Sequence, residues 1–300
     1  MRHRSQKVSL VLTAFSLVIF AQTLCLAGEI TLSPPAQDQW QYIFNGNVGH
    51  QAQAPCFVGP LSGPYAGQFD YRDGMMILRF DTSARITPSL GADSYQLDGV
   101  TLILNHPAGT FTWDTRNPVV LPTGDAFQIE VFGVGVDESV QTAFTRASWI
   151  ETSPVFAKSP FNTAQIRTPH PLNIDDTAPT QNMTNQSGAT PWGIGLPVYG
   201  DGTGQQAGKY DPNVETANPF PVTFTINAAN ARVNRYIREG LNDGYLLWIV
   251  CSLAEGSQSG GNNYPRFYTK EGPANLAPKL VFENLSTAAA ARPGAWTLYE

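Results

Sequence analysis

Charge is scarce in this chain. Asp, Glu, Lys and Arg make up 14% of its 300 residues, against about a quarter in an ordinary soluble protein, so ion-paired solvated helices are not what it builds. Histidine is scarcer still. Beyond His3 only His50, His106 and His170 occur, far apart and without the helical H-E-x-x-H spacing, which removes the common zinc-hydrolase pattern. No serine nucleophile elbow exists either, because Gly256-Ser257-Gln258-Ser259-Gly260 carries glutamine where G-x-S-x-G needs serine. Gly133-Val134-Gly135 and Gly193-Ile194-Gly195 lack the further glycines of a dinucleotide or phosphate loop. What the chain does have is 27 Gly and 23 Pro, a composition of turns joining short strands.

One long apolar run is present, and it lies at the start. Arg2, Arg4 and Lys7 precede the apolar stretch from Val8 to Ala21, and Cys25-Leu26-Ala27 sets small residues at the two positions a signal peptidase inspects. Residues 1–27 therefore read as a secretory signal, with Gly28 as the new terminus. A retained anchor is the competing reading, but the run is shorter than the roughly 20 residues that span a bilayer. Leu24 also stands where lipidation of Cys25 would want a small residue. Cleavage removes three basic residues and leaves 15 Lys and Arg against 24 Asp and Glu, a net charge near −9. That balance disfavours nucleic acid and anionic membranes as partners. The expected location is secreted or extracellular, with the periplasm as the alternative, and no stable membrane insertion after cleavage.

Cys56 and Cys251 survive cleavage. In an oxidising compartment the pair is a disulfide candidate that would contribute about 4 kcal/mol in the chain-entropy account. The alternative is that Cys251, inside an apolar run, is a small buried hydrophobe.

The hydrophobic pattern predicts an all-β fold of one domain over 28–286, with a tail over 287–300. Met75 to Phe80 and Tyr245 to Leu253 are apolar on both faces and read as central strands. Val100 to Leu104, Ala126 to Val136, Phe220 to Ile226, Arg266 to Thr269 and Lys279 to Glu283 read as further strands, with a less regular one over Gln141 to Ile150. Pro221 suggests an edge or a strand start. Gln39 to Phe44 alternates, with Trp40, Tyr42 and Phe44 on one face and Gln39 and Gln41 on the other. A single short helix is predicted after Ile226: Val233, Tyr236, Ile237 and Leu241 keep helical spacing, Asn227 or Asn230 caps it, and Gly240 suits its left-handed end. Residues 151–219 form a long loop-rich insertion.

Two blocks carry a family likeness. Leu78-Arg79-Phe80-Asp81-Thr82-Ser83 followed by the Gln96 to Leu104 strand, and the Asn230 to Gly240 helix followed by Tyr245 to Leu253, Phe267-Tyr268-Thr269-Lys270-Glu271 and Pro278-Lys279-Leu280-Val281, resemble DNRLRE and disaggregatase-related domains. The whole arrangement is similar to exported bacterial proteins associated with PEP-CTERM sorting. The resemblance implies a jelly-roll-like β-sandwich, akin to carbohydrate-binding modules, on the cell surface or outside the cell. It implies no assigned catalytic residues. The expected role is therefore non-catalytic contact with polysaccharide or extracellular matrix, with a polysaccharide-acting hydrolase or lyase as the alternative.

Sugar recognition sets an aromatic face against a pyranose ring and polar side chains against its hydroxyls. Outside the predicted core strands the candidates are Trp113 with Asp114 and Arg116, then Trp192, Tyr199 and Tyr210. No cofactor is expected beyond a structural calcium ion, for which Asp175 with Asp176, or Asp201 with Asp211 and Glu215, supply oxygen ligands without EF-hand spacing. A glycosidase would need two carboxylates across a cleft, drawn from Asp114, Asp125, Glu130, Asp137 and Glu138.

Overall fold

The computed structural model describes residues 28–42, 49–57, 74–114, 129–136, 142–154, 169–172, 174, 191–198, 210–216, 218–252 and 264–287; within 110–114 and 210–216 it describes the backbone only. The strands are β1 (Gly28–Leu32), β2 (Gln37–Gln41), β3 (Gln53–Pro55), β4 (Met75–Asp81), β5 (Tyr95–Gln96), β6 (Gly99–His106), β7 (Gly109–Asp114), β8 (Ile129–Gly135), β9 (His170–Leu172), β10 (Gly193–Pro197), β11 (Tyr210–Thr216) and β12 (Phe220–Ile226). After the helix α1 (Ala231–Asp243) come β13 (Tyr245–Ser252), β14 (Arg266–Tyr268) and β15 (Lys279–Thr287).

The fold is all-β and sandwich-like, built from one large curled antiparallel sheet. Its order is β1-β15-β6-β12-β10-β8-β13-β4-β2, with β5 added on β15 and β9 on β8. The two halves of the sheet differ in what they bury. In β6, β12 and β15 the residues Val100, Leu102, Leu104, Val222, Phe224, Leu280 and Phe282 face the core, while Thr101, Thr223, Thr225 and Lys279 are partly or fully exposed. That two-residue period is what a half-solvated antiparallel sheet requires. In β8, β13 and β4 nearly every residue is buried. The apolar runs on both faces of these strands answer to cover on both sides.

One side of that second half faces the core. The other is covered by residues 144–154, and polar side chains of β2 and β4 hold the cover down. Gln39 Nε2 donates to the carbonyls of Glu151 (2.9 Å) and Ser153 (2.8 Å), and the Arg79 guanidinium donates to those of Ala147 and Trp149. Gln39 and Gln41 share the face opposite Trp40, as the alternation predicts, and this cover leaves both fully buried. Residues 142–154 form turns instead of the strand predicted over Gln141 to Ile150. The aromatic face of β2 is as expected: Trp40 and Tyr42 stack at 5.0 Å.

The helix begins where the sequence puts it, with Asn230 Oδ1 accepting from the backbone amides of Arg232 and Val233. It ends later. Gly244, at φ 84°, is the left-handed cap, and Gly240 lies inside the helix, where a Cβ would sit 2.4 Å from Leu246. Pro221 starts an internal strand, not an edge: β12 pairs with both β6 and β10. The described residues of the loop-rich passage 151–219 include the strands β9, β10 and β11, and β10 completes the sheet between β8 and β12.

Helix and sheet are locked together by Tyr236. Its hydroxyl donates to Leu247 O (2.7 Å) and accepts from Val134 N (3.1 Å), bridging β13 and β8 where their ladder has ended at Trp248 and Gly133. Tyr236→Phe is expected to cost about 2–3 kcal/mol, because it orphans a buried carbonyl and a buried amide while leaving the ring in place. Urea unfolding followed by tryptophan fluorescence checks this; a loss below about 0.5 kcal/mol would show that the bridge contributes little.

Candidate binding site

Four of the nominated residues are brought together by strand pairing. Beyond the main sheet the β6–β12 pairing ends at His106 and Phe220, and Pro107-Ala108 and Asn218-Pro219 lie outside it before pairing resumes at Gly109 and Thr216 as the two-stranded ribbon β7–β11. Pro107 and Pro219 lack the amide a continuous ladder needs. His106 closes the main sheet at this end, stacked on Phe220 at 5.1 Å and edge-on to Phe267. Burial pushes its pKa down to about 4, so the ring is neutral, and Nδ1–H donates to Pro107 O. His106 and His170 lie in strands β6 and β9, and among the described histidines only His50 is exposed.

In the ribbon, Asp211 lies opposite Trp113 and Tyr210 opposite Asp114, with a register shift between Asp211 and Val214. Directly opposed residues of an antiparallel pair share a face. One face of the ribbon thus sets Trp113 opposite Asp211, with Phe111 two residues along it, and the other sets Tyr210 opposite Asp114, with Glu215 further along it opposite Thr110. In the sequence Trp113 with Asp114, and Tyr210, stand as sugar candidates and Asp211 as a calcium candidate, about a hundred positions separating the two groups; their pairing is a product of the fold.

Trp192 is corrected. It is fully buried in the core, edge-on to Tyr236 at 4.9 Å and to Trp248 at 6.0 Å, and its ring presses on Gly133, where a Cβ would lie 2.3 Å away. No face of it is left for a ligand. The disulfide is corrected as well, since Cys56 and Cys251 are both free and buried. Cys56 Sγ lies 3.6 Å from Val250 O, on the side of the sheet to which β3 packs, and strand alternation turns Cys251 to the opposite side, where its Sγ lies 3.9 Å from Glu130 O. Burial pushes the Cys56 thiol far up. Arg116, Tyr199, Asp175, Asp176 and Asp201 lie outside the described residues, and Asp211 and Glu215 are described by backbone alone. Among the described residues no three His, Cys, Asp or Glu side chains form a metal-binding group.

Compared with known proteins, the chain matches no family model and no curated protein. Its functional reading therefore rests on chemistry at named positions. Among the described residues no helix is long and apolar enough to cross a membrane.

A second place was not visible in the sequence. At the helix end of the sheet, away from the ribbon, a groove of about 530 Å3 opens between the start of β2, the end of β4, the start of β13 and the turn 147–150. Its central group is Arg79, whose guanidinium lies 4.5 Å from the centre of the Tyr245 ring. Asp81 and Asp243 line the same groove. Asp81 Oδ1 accepts from the amide and hydroxyl of Ser83. Arg146 caps the Tyr236 ring at 4.9 Å and bonds Tyr245. These residues come from four elements, and nothing in their local sequence signals that they meet.

The groove's wall is fastened by a charge cluster. Lys270 Nζ bridges Glu151 (2.8 Å) and Glu271 (2.5 Å), and the Lys270 amide donates to Asp38 Oδ2. Burial, with Glu271 adding to it, raises the Asp38 carboxyl to about 7. The raised carboxyls, Asp38 and Glu130, are both closed off from solvent. That removes Glu130 from the candidate glycosidase carboxylates.

Proposed function

We propose that this is a secreted, non-catalytic β-sandwich protein that binds polysaccharide or extracellular matrix, of the DNRLRE-like kind. The observation that carries the reading is the ribbon register, which pairs Trp113 with Asp211 and Tyr210 with Asp114. An aromatic residue in register with a carboxylate residue suits a sugar, whose C–H face can stack on an aromatic ring while its hydroxyls donate to an acid.

The test is a glycan array probed with the mature protein, its Trp113→Ala and Tyr210→Ala variants, and the double variant. Trp113→Ala is expected to weaken binding on its own face of the ribbon at least tenfold, Tyr210→Ala on the other face, and the double variant to lose both, each with an unfolding midpoint within about 2 °C of wild type. Absence of binding by the wild type, or full binding by the double variant, refutes this site. The hydrolase or lyase alternative is favoured by one feature, the presence of Asp81 and Asp243 on one groove; release of reducing ends or unsaturated products from the polysaccharides bound on the array would establish it.

A further inference from the structure

The groove at the helix end holds more unspent hydrogen-bonding capacity than its fold needs. Both recorded bonds of Arg79 use Nη1, so Nη2 and Nε have no acceptor among the described residues. Gln37 spends its oxygen on the Glu151 amide at 3.2 Å and keeps its two amide hydrogens. On the acceptor side, Asp81 uses Oδ1 alone and keeps Oδ2, and exposed Asp243 faces the same space. Donors and acceptors thus converge around one tyrosine ring, and the turn opposite presents Ile150, 45% exposed. The volume falls within the roughly 300–1,000 Å3 of small-molecule sites.

We infer that this groove is a second ligand site and that its ligand is a neutral saccharide, bound at the opposite end of the sheet from the ribbon. A vicinal diol donates to a carboxylate and accepts from a guanidinium at once, which matches Asp81 and Asp243 set against Arg79. An anionic sugar is disfavoured by two carboxylates in the groove and by a chain carrying net charge near −9. A hydrophobic ligand would leave the Arg79 and Gln37 donors and the Asp81 acceptor desolvated and unpaired. The rigid part is Arg79, held by two backbone carbonyls and a ring, so its remaining donors are fixed before the ligand arrives. The ligand class rests on the polysaccharide reading above; the site does not depend on the ribbon.

Isothermal titration of the mature protein with cellobiose, maltose and mannobiose, and with a digalacturonate as the anionic control, tests the inference. The wild type is expected to bind at least one neutral disaccharide and to prefer it to digalacturonate. Asp243→Asn, at an exposed side chain that interacts electrostatically with Arg146 and has no hydrogen bond or ion pair among the described residues, should weaken that binding at least fivefold, and Asp81→Asn with Asp243→Asn at least twentyfold. Trp113→Ala should leave it unchanged. No binding of any neutral disaccharide, wild-type affinity in the double variant, or preference for digalacturonate would overturn the groove assignment. Loss of disaccharide binding in Trp113→Ala would overturn it too, while leaving the ribbon reading intact. Array binding lost with Trp113→Ala alongside silent titrations would likewise reject the groove and keep the ribbon.

Discussion

Glu130→Gln is expected to match wild-type stability near pH 4.5 and to exceed it by about 3–5 kcal/mol at pH 9. Glu130 sits in β8, in the middle of the sheet, opposite Cys251 on one side and Ile194 on the other, with no hydrogen-bond partner among the described residues for either carboxyl oxygen. Burial alone pushes its pKa from 4.5 to about 8. In the unfolded chain the same group ionises near its ordinary value. Below pH 4.5 both states hold the proton and the group is neutral in both. Between pH 4.5 and 8 the folded state keeps a proton that the unfolded chain has released, so stability falls by about 1.4 kcal/mol per pH unit. Above pH 8 the full cost is in place, and glutamine removes it.

Two other groups shape the same profile. Asp38, raised to about 7 by its burial, acts in the same direction between its ordinary range and neutrality. His106, pushed down to about 4, acts in the opposite direction: the unfolded chain takes up a proton below about 6.5 that the buried ring refuses, so acid costs stability there. The three together favour mildly acidic over alkaline conditions. Urea midpoints at pH 4.5, 6, 7.5 and 9 for wild type and Glu130→Gln check this, with the slope against pH as the readout. Parallel curves across that range would mean that the carboxyl is hydrated or ionised in the folded protein.

The scaffold was legible where one residue's neighbours in sequence are also what decide its environment. The two-residue period of Phe220 to Ile226 and the doubly apolar runs at Met75 and Tyr245 mark strands because a strand's faces are written in alternate letters. The Asn230 cap is legible for the same reason. What failed depended on distant chain. The burial of Gln39 and Gln41 shows only once residues 144–154 and Pro169 supply carbonyls for their amides. Cys56 and Cys251 look like a pair until the sheet turns them to opposite sides. The strand β10, Gly193-Ile194-Gly195-Leu196-Pro197, has the composition of a loop and still joins β8 to β12, because Gly195 and Gly193 admit the close approach of Phe224, Val222 and the Thr225 carbonyl. The ribbon residues were nominated by type but paired by topology. The groove was invisible, since Gln37, Arg79, Ser148 and Tyr245 have no sequence relation at all.

Trp192→Ala separates a core role from a ligand role more sharply than any other single change. A fully buried indole removed from a packed cluster costs about 3–5 kcal/mol, part of it transfer and part of it the cavity left behind. Here the cavity would open against Tyr236, Trp248 and the bare Cα of Gly133, and none of the three can close it cheaply: Tyr236 is pinned by its two backbone bonds, Trp248 is held in a central strand, and glycine has no side chain to move. The variant should therefore sit at the upper part of that range and unfold well below wild type in urea. Binding measured on the fraction that remains folded should be unchanged, on the ribbon and in the groove alike. Trp192→Phe should recover roughly half of the lost stability, since a smaller ring fills part of the space and the indole N–H has no partner among the described residues to lose. A folded Trp192→Ala protein with wild-type stability and lost glycan binding would instead return the residue to the ligand side and reopen the core assignment around Gly133.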